Sequence, residues 1–206
     1  MRPVDEIQQV DARLVIWQGY DPSSRVDLTS SALVLPDGLL LVDPIGLAPA
    51  ARQHLLALGS PLAVVCTSAN HARAAESWRQ RHGIPVLCHP AAVPGLEVRP
   101  DREISGGPLS LGGVELTVLE VPGAAPGEIA LLDPREPGWL IVGDALIHLD
   151  STGFARLPDR YCEDPRELAR SLAALAEHPF GALAFAHGMP IVRDARARLE
   201  ALLGEV

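Results

Sequence analysis

The feature that most constrains this chain is the repeated hand-over from a short apolar run to a turn signal or to a lone polar group. Leu14 to Trp17, Ser31 to Leu35 and Leu39 to Val42 are such runs, and Pro36-Asp37-Gly38 between the last two is turn chemistry that predicts a hairpin. From Pro49 the pattern changes to an Ala/Leu-rich helix ending near Gly59, with Leu55, Leu56 and Leu58 for one face. Ala63 to Thr67 is apolar on both sides, as a strand covered by helices is. Ser68-Ala69-Asn70 then offers N-cap side chains, which predicts a helix from His71 to His82 closed by Gly83, followed by a strand over Pro85 to Cys88.

The second half repeats the grammar. Leu109 to Leu111 and Val114 to Val121 flank Gly112-Gly113 as a hairpin, and Glu128 to Leu132 and Trp139 to Val142 are strands joined through Asp133-Pro134 and Pro137-Gly138. Asp164-Pro165 caps a helix running to about Glu177, Leu183 to Ala186 is a buried strand, and Val192 to Leu203 is a terminal helix. Strands followed by helix, strand and helix in each half predict an α/β (α+β) architecture of two packed sheets with helices outside. With 206 residues the chain has the volume for one such core, so 1–206 reads as a single domain.

Composition narrows the function. Basic residues number 17 and acidic residues 26, and a net charge of −9 repels a phosphate backbone, which disfavours nucleic-acid binding. All the basic residues are arginine, so chemistry that needs a lysine amine is excluded. No apolar run reaches the roughly 18–20 residues of a membrane span, and Met1 to Asp11 is polar; the expectation is a cytoplasmic protein acting on a small-molecule substrate or ligand, with no membrane partner and no particular oligomeric state implied. Cys66, Cys88 and Cys162 form no Cys-x-x-Cys pair and read as buried free thiols.

Three polar groups follow the ends of buried strands: Asn70-His71, Gly143-Asp144 and His187-Gly188. Loops at strand ends let side chains converge on a site that the sheet holds in place. Two imidazoles and a carboxylate would make a metal-ligand set with open positions. The same residues also suit purely local roles, with His71 in a first helical turn, Asp144 as a loop cap and His187 in a turn.

Read in order, Leu41-Val42-Asp43-Pro44, Val65-Cys66-Thr67 leading into Asn70-His71, Pro122-Gly123, Gly143-Asp144 and His187-Gly188-Met189-Pro190 resemble the metallo-β-lactamase fold superfamily over nearly the whole chain. The resemblance implies a four-layer αββα sandwich whose metal ligands come from an H-x-H-x-D-H motif, a histidine after a Pro-Gly step, an aspartate in a Gly-Asp step and a final histidine before glycine. Pro122 to Glu128 is similar to the family's P-G-H-T-P-G-S segment, but Ala124 stands where the histidine belongs. The H-x-H-x-D-H motif is broken and admits two registers. Anchored on Gly83, 12 residues beyond His71, the motif places His71 in the last histidine position and Asn70 in that of the aspartate; anchored on Thr67, it places Ser68, Asn70 and Arg73 in the first, second and last histidine positions instead. The helix anchor is preferred, because a loop deletion costs less than shifting every packed contact of a helix.

In that register the ligands of the family's first metal are gone. Those of the second persist as Asn70, His71, Asp144 and His187, with Asn70 offering a neutral carbonyl oxygen in place of a carboxylate. Two functions follow from the resemblance. One is a hydrolase of ester or thioester type with at most one divalent ion, zinc, iron or manganese, in which Asp144 and His187 are catalytic; the other is a metal-free, inactive member that binds a small ligand or a protein. Asp43 corresponds to a strand-end aspartate that orients a ligand through a hydrogen bond. If no ion is bound, Arg73 or ordered water is expected to satisfy Asp144; His148 or His89 is expected to reach the pocket. His54, His82 and His178 read as solvated or capping residues, and Ser68 and Cys66 as the only nucleophiles beside His71.

Overall fold

The computed structural model describes residues 1–150 and 153–204. The first half holds β1 (Gln8–Gln9), β2 (Leu14–Asp21), β3 (Val26–Leu35), β4 (Gly38–Val42), α1 (Pro49–Leu56), β5 (Pro61–Val65), α2 (Ala75–His82), β6 (Val86–Cys88) and β7 (Arg102–Glu103). The second half holds β8 (Gly107–Leu111), β9 (Val114–Glu120), β10 (Ile129–Asp133), β11 (Trp139–Val142), β12 (Leu146–Asp150), β13 (Gly153–Arg156), α3 (Pro165–Ala176), β14 (Ala182–Phe185) and α4 (Ala195–Gly204). Strands β1 to β7 form one sheet in chain order, antiparallel to β4 and parallel beyond it, and the second sheet runs β14-β11-β10-β9-β8 with β11 and β14 parallel.

Period-two alternation builds the layers. Leu14, Ile16, Leu40 and Val42 of the first sheet face Leu116, Val118, Leu131 and Ile141 of the second, a buried middle layer. Their neighbours Val15, Trp17, Leu39 and Leu41 point the other way, onto Ala51 and Leu55 of α1 and Ala75 and Trp78 of α2. On the far side Leu132, Leu140 and Phe185 pack under Leu168, Leu172 and Leu175 of α3 and Leu199 of α4. These are the four αββα layers that the sequence predicts.

Both hairpins sit where the turn residues place them, Leu35 opposite Gly38 and Leu111 opposite Val114. The Asp164 side chain caps α3 by accepting the N–H groups of Arg166 and Glu167 at 2.8 and 3.0 Å. The helix expected from His71 starts at Ala75 instead. Arg73 takes a left-handed φ of 42°, which no helical turn accommodates, and Ala74 begins the helix with its N–H on the carbonyl of Pro44. The last helix likewise starts at Ala195 rather than Val192, after Asp194 adopts a φ of 55°. The hairpin of β12 and β13 is absent from the sequence reading, because its residues Ile147-His148-Leu149 and Gly153-Phe154 give no clean alternation.

Candidate metal centre

Strand ends assemble the site. Asp43 follows β4 and is buried; its Oδ1 accepts the Thr67 N–H at 2.8 Å, its Oδ2 accepts the Thr67 hydroxyl at 2.6 Å, and the same Oδ2 lies 2.9 Å from His71 Nδ1. With Nδ1 held, the His71 ring turns Nε2 toward Asp144 Oδ1 at 3.2 Å. His187 follows β14 and is oriented in the same way: its Nδ1 donates to the Asp27 carbonyl at 2.9 Å, and its Nε2 lies 3.1 Å from Asp144 Oδ1. Two close approaches fix the backbone there. A Cβ on Gly143 would sit 2.6 Å from Thr67 Oγ1, and one on Gly188, whose φ is 108°, would sit 1.8 Å from the His148 carbonyl oxygen. The Thr29 hydroxyl accepts the Gly188 N–H and donates to the Gly188 carbonyl, each at 3.0 Å.

One ligand atom from each of His71, Asp144 and His187 lies within 4.8 Å of the others. A tetrahedral ion with ligands at about 2.0–2.2 Å needs its ligand atoms about 3.3–3.6 Å apart, close to the two histidine–aspartate separations. Each imidazole also has its far nitrogen on an oxygen acceptor, the arrangement that keeps the near nitrogen available to a metal. The residues present therefore fit one divalent ion. Electrostatics agree with a site built for positive charge. Burial opposes ionisation of Asp144 and Asp43, but the charges of His71 and its neighbours outweigh it and hold both carboxyls below their usual range. Burial also disfavours the His71 imidazolium, yet the Asp144 and Asp43 carboxylates push it up to about 10.

The remaining sequence candidates lie around this cluster in other roles. Asn70 is exposed, and among the described residues its side chain makes no hydrogen bond to the three. Ser68 is buried and shapes the turn: its hydroxyl accepts the Asn70 N–H at 3.3 Å and its carbonyl the His71 N–H. Arg73 does not pair with Asp144. Its guanidinium donates to the carbonyls of Thr29, Asp43 and Ala186 at 2.6, 3.0 and 3.1 Å, tying the two sheets together beside the cluster, and Asp144 is met by the two imidazoles. Ala124 is buried in the apolar layer under α3.

His148 stands beside His187 in the backbone, but its ring meets the Met189 carbonyl at 2.7 Å and packs on Phe185. His89 caps a short turn and faces Glu120. The three cysteines are free, with Cys162 only half-buried; burial pushes the Cys66 thiol up, away from a nucleophile's range. Two groups escape sequence reasoning. Thr67 bridges Asp43 and His71, a role that a lone threonine at a strand end does not advertise. Glu128 is fully buried, accepts the Ala145 N–H at 2.7 Å through Oε1, has no partner for Oε2 among the described residues, and is pushed well above the usual carboxyl range by burial and then by the Asp144 charge.

The sequence matches the family profile described as metallo-beta-lactamase superfamily over residues 8–206, so the chain belongs to that superfamily as a hydrolase-like member. No curated protein matches it. Among solved structures it is similar to a metallo-beta-lactamase from Pontibacter korlensis, with a TM-score of 0.75, 15% identity, and 98% and 99% of the two chains covered. A metallo-beta-lactamase family protein from Thermus thermophilus gives a TM-score of 0.69 at 22% identity, covering 96% of this chain and 80% of that one. An archaeal superfamily protein from Sulfolobus tokodaii gives 0.68 at 16%, covering 86% and 79%. At these identities the likeness is one of fold. None of the helices described is long and apolar enough to cross a membrane.

Proposed function

We propose that this protein is a hydrolase of an ester or thioester type of small molecule that works with a single divalent ion held by His71, Asp144 and His187. The observation that supports this reading is the anchoring of both histidines through Nδ1, on Asp43 and on the Asp27 carbonyl, so that both Nε2 atoms converge on Asp144. Zinc, iron or manganese bound there would lower the pKa of a water and polarise a carbonyl oxygen. The chain's own residues do the rest. Asp43 and Thr67 fix the His71 ring, Arg73 ties the loops of both sheets together, and Asp144, ionised at neutral pH, offers the negative charge that retains a cation. Asn70, one residue from His71 and exposed, would join the ligands only by turning inward, so three ligands are the working set.

A second reading, a metal-free member that binds a small ligand or a protein, is favoured by one contact pattern: Asp144 Oδ1 is already met by both imidazoles. Elemental analysis separates the two, with ester and thioester assays run with and without added Zn²⁺, Mn²⁺ or Fe²⁺. The hydrolase reading expects close to one metal per chain, turnover lost on chelation and on His187→Ala, and no β-lactam hydrolysis. Turnover that survives both treatments would overturn it, and no metal with no turnover would establish the second reading.

A further inference from the structure

A cavity of about 610 Å³ opens on the outer face of the first sheet, between the first residues of the chain, the start of α1 and the outer side of α2. Arg2, Arg52 and Arg81 line it together with Asp5, Ser77 and Trp78. Five arginines outside the cavity meet a carboxylate: Arg79, two residues before Arg81 on α2, pairs with Glu76 and Asp101, and Arg135, Arg156, Arg170 and Arg196 have one partner each. Among the described residues the three cavity arginines have no such partner, and Arg52 has only a long contact of 3.4 Å to the Leu47 carbonyl. Three guanidiniums and one carboxylate leave two positive charges in one concavity of a chain whose net charge is −9.

We propose that this cavity binds a small organic molecule through a phosphomonoester dianion. A monocarboxylate carries one charge and two oxygens, which a single arginine fork satisfies, whereas a phosphomonoester offers two charges and three terminal oxygens to several forks at once. The two uncompensated positive charges match that dianion. The Ser77 hydroxyl lies on the same helical face as Arg81, four residues away, and adds a donor. The cavity is larger than a phosphate group, and the exposed rings of Pro3 and Pro49 in its lining give apolar wall for the organic body. The first residues hold their place because Val4 donates to the Gly46 carbonyl at 2.9 Å and accepts from Ala48 at 2.8 Å, which keeps Arg2 and Asp5 at the rim. The positive field is felt next door: after burial, Arg52 and Arg81 are what hold the His82 imidazole below its ordinary range.

Binding is measured by calorimetry at constant ionic strength, with inorganic phosphate and phenyl phosphate as probes and metal-depleted protein as the sample. The expected result is saturable binding of both, tighter for phenyl phosphate, weakened at least about tenfold by Arg52→Gln and by Arg81→Gln. Arg166→Gln, on the exposed surface of α3, and His187→Ala should leave it unchanged. Circular dichroism confirms that each variant is folded, and Arg81 is exposed, so its loss should not disturb packing. Absence of binding at millimolar probe would overturn the proposal. So would affinity that both cavity variants retain, or phosphate binding that needs added metal and disappears in His187→Ala, since that would place the anion at the histidine cluster.

Discussion

Two segments that face the same edge of the sandwich are built in opposite ways. Thr67 to Arg73 is dense with satisfied polar chemistry: Thr67 and His71 close on Asp43, Ser68 holds the turn, and Arg73 is bound to three carbonyls. Pro122 to Glu128, the connection between β9 and β10, is apolar where it is buried: Ala124, with Val121 just before it, packs among Leu168, Leu172 and Phe185, and Glu128 is its one buried polar residue. The Ala124 side chain packs in an apolar layer, whereas Asp43 cannot be removed without stranding the Thr67 N–H and taking an acceptor from the Thr67 hydroxyl and from His71 Nδ1.

The largest effect should come from breaking the polar side. Asp43→Ala leaves the Thr67 N–H unpartnered in a buried place and reduces the Thr67 hydroxyl and His71 Nδ1 to their mutual contact at 2.8 Å, and should lower unfolding free energy by about 3–5 kcal/mol. Urea denaturation with a matched slope checks this. A change within experimental error would mean that the network contributes nothing to stability. The apolar side is tested by restoring what the family carries. Ala124→His inserts a ring into a packed layer and should cost about 1–3 kcal/mol, while metal content stays at one per chain or fewer, because the two leading histidines of the motif are still absent. A second bound metal in that variant would show that the first site is one substitution from function.

The same contrast explains what was legible in the sequence. Turn chemistry at Pro36-Asp37-Gly38 and Gly112-Gly113 and alternation in Leu14 to Trp17 and Leu39 to Val42 placed the sheets, since those signals are local. His71, Asp144 and His187 could be named because each follows a buried strand, and the fold brings those strand ends together. The expected pairing of Arg73 with Asp144 fails. A guanidinium met in a sequence suggests a carboxylate partner, and only three-dimensional structure shows that the carbonyls of Thr29 and Ala186, distant in sequence, are nearer. The late start of α2 has the same origin. Ser68 and Asn70 have the chemistry of caps, but the pull of Asp43 on Thr67 and His71 keeps that stretch out of the helix.

Glu128, the one polar residue left on the apolar side, gives the smallest and most specific effect. Its folded-state pKa is raised well above the ordinary 4.5, by burial first and the Asp144 charge second, so the native state keeps a proton that the unfolded chain releases as pH rises past about 4.5. The native state binds more protons across that window, and the slope of unfolding free energy with pH is negative there; the stability associated with the neutral acid is full below 4.5 and is lost as pH rises through the native pKa. Glu128→Gln keeps the shape and has no proton to lose. At a pH near 4 the variant should therefore differ from the parent by less than about 1 kcal/mol, since an amide replaces a neutral acid whose Oε2 has no partner in either case. As pH rises the variant should gain on the parent by up to about 1.4 kcal/mol per unit until the parent's acid ionises. Paired denaturation curves of metal-depleted protein across that range decide it: curves that run parallel would mean that Glu128 is ionised in the native state and partnered, and the apolar side of the cleft would then hold a charge after all.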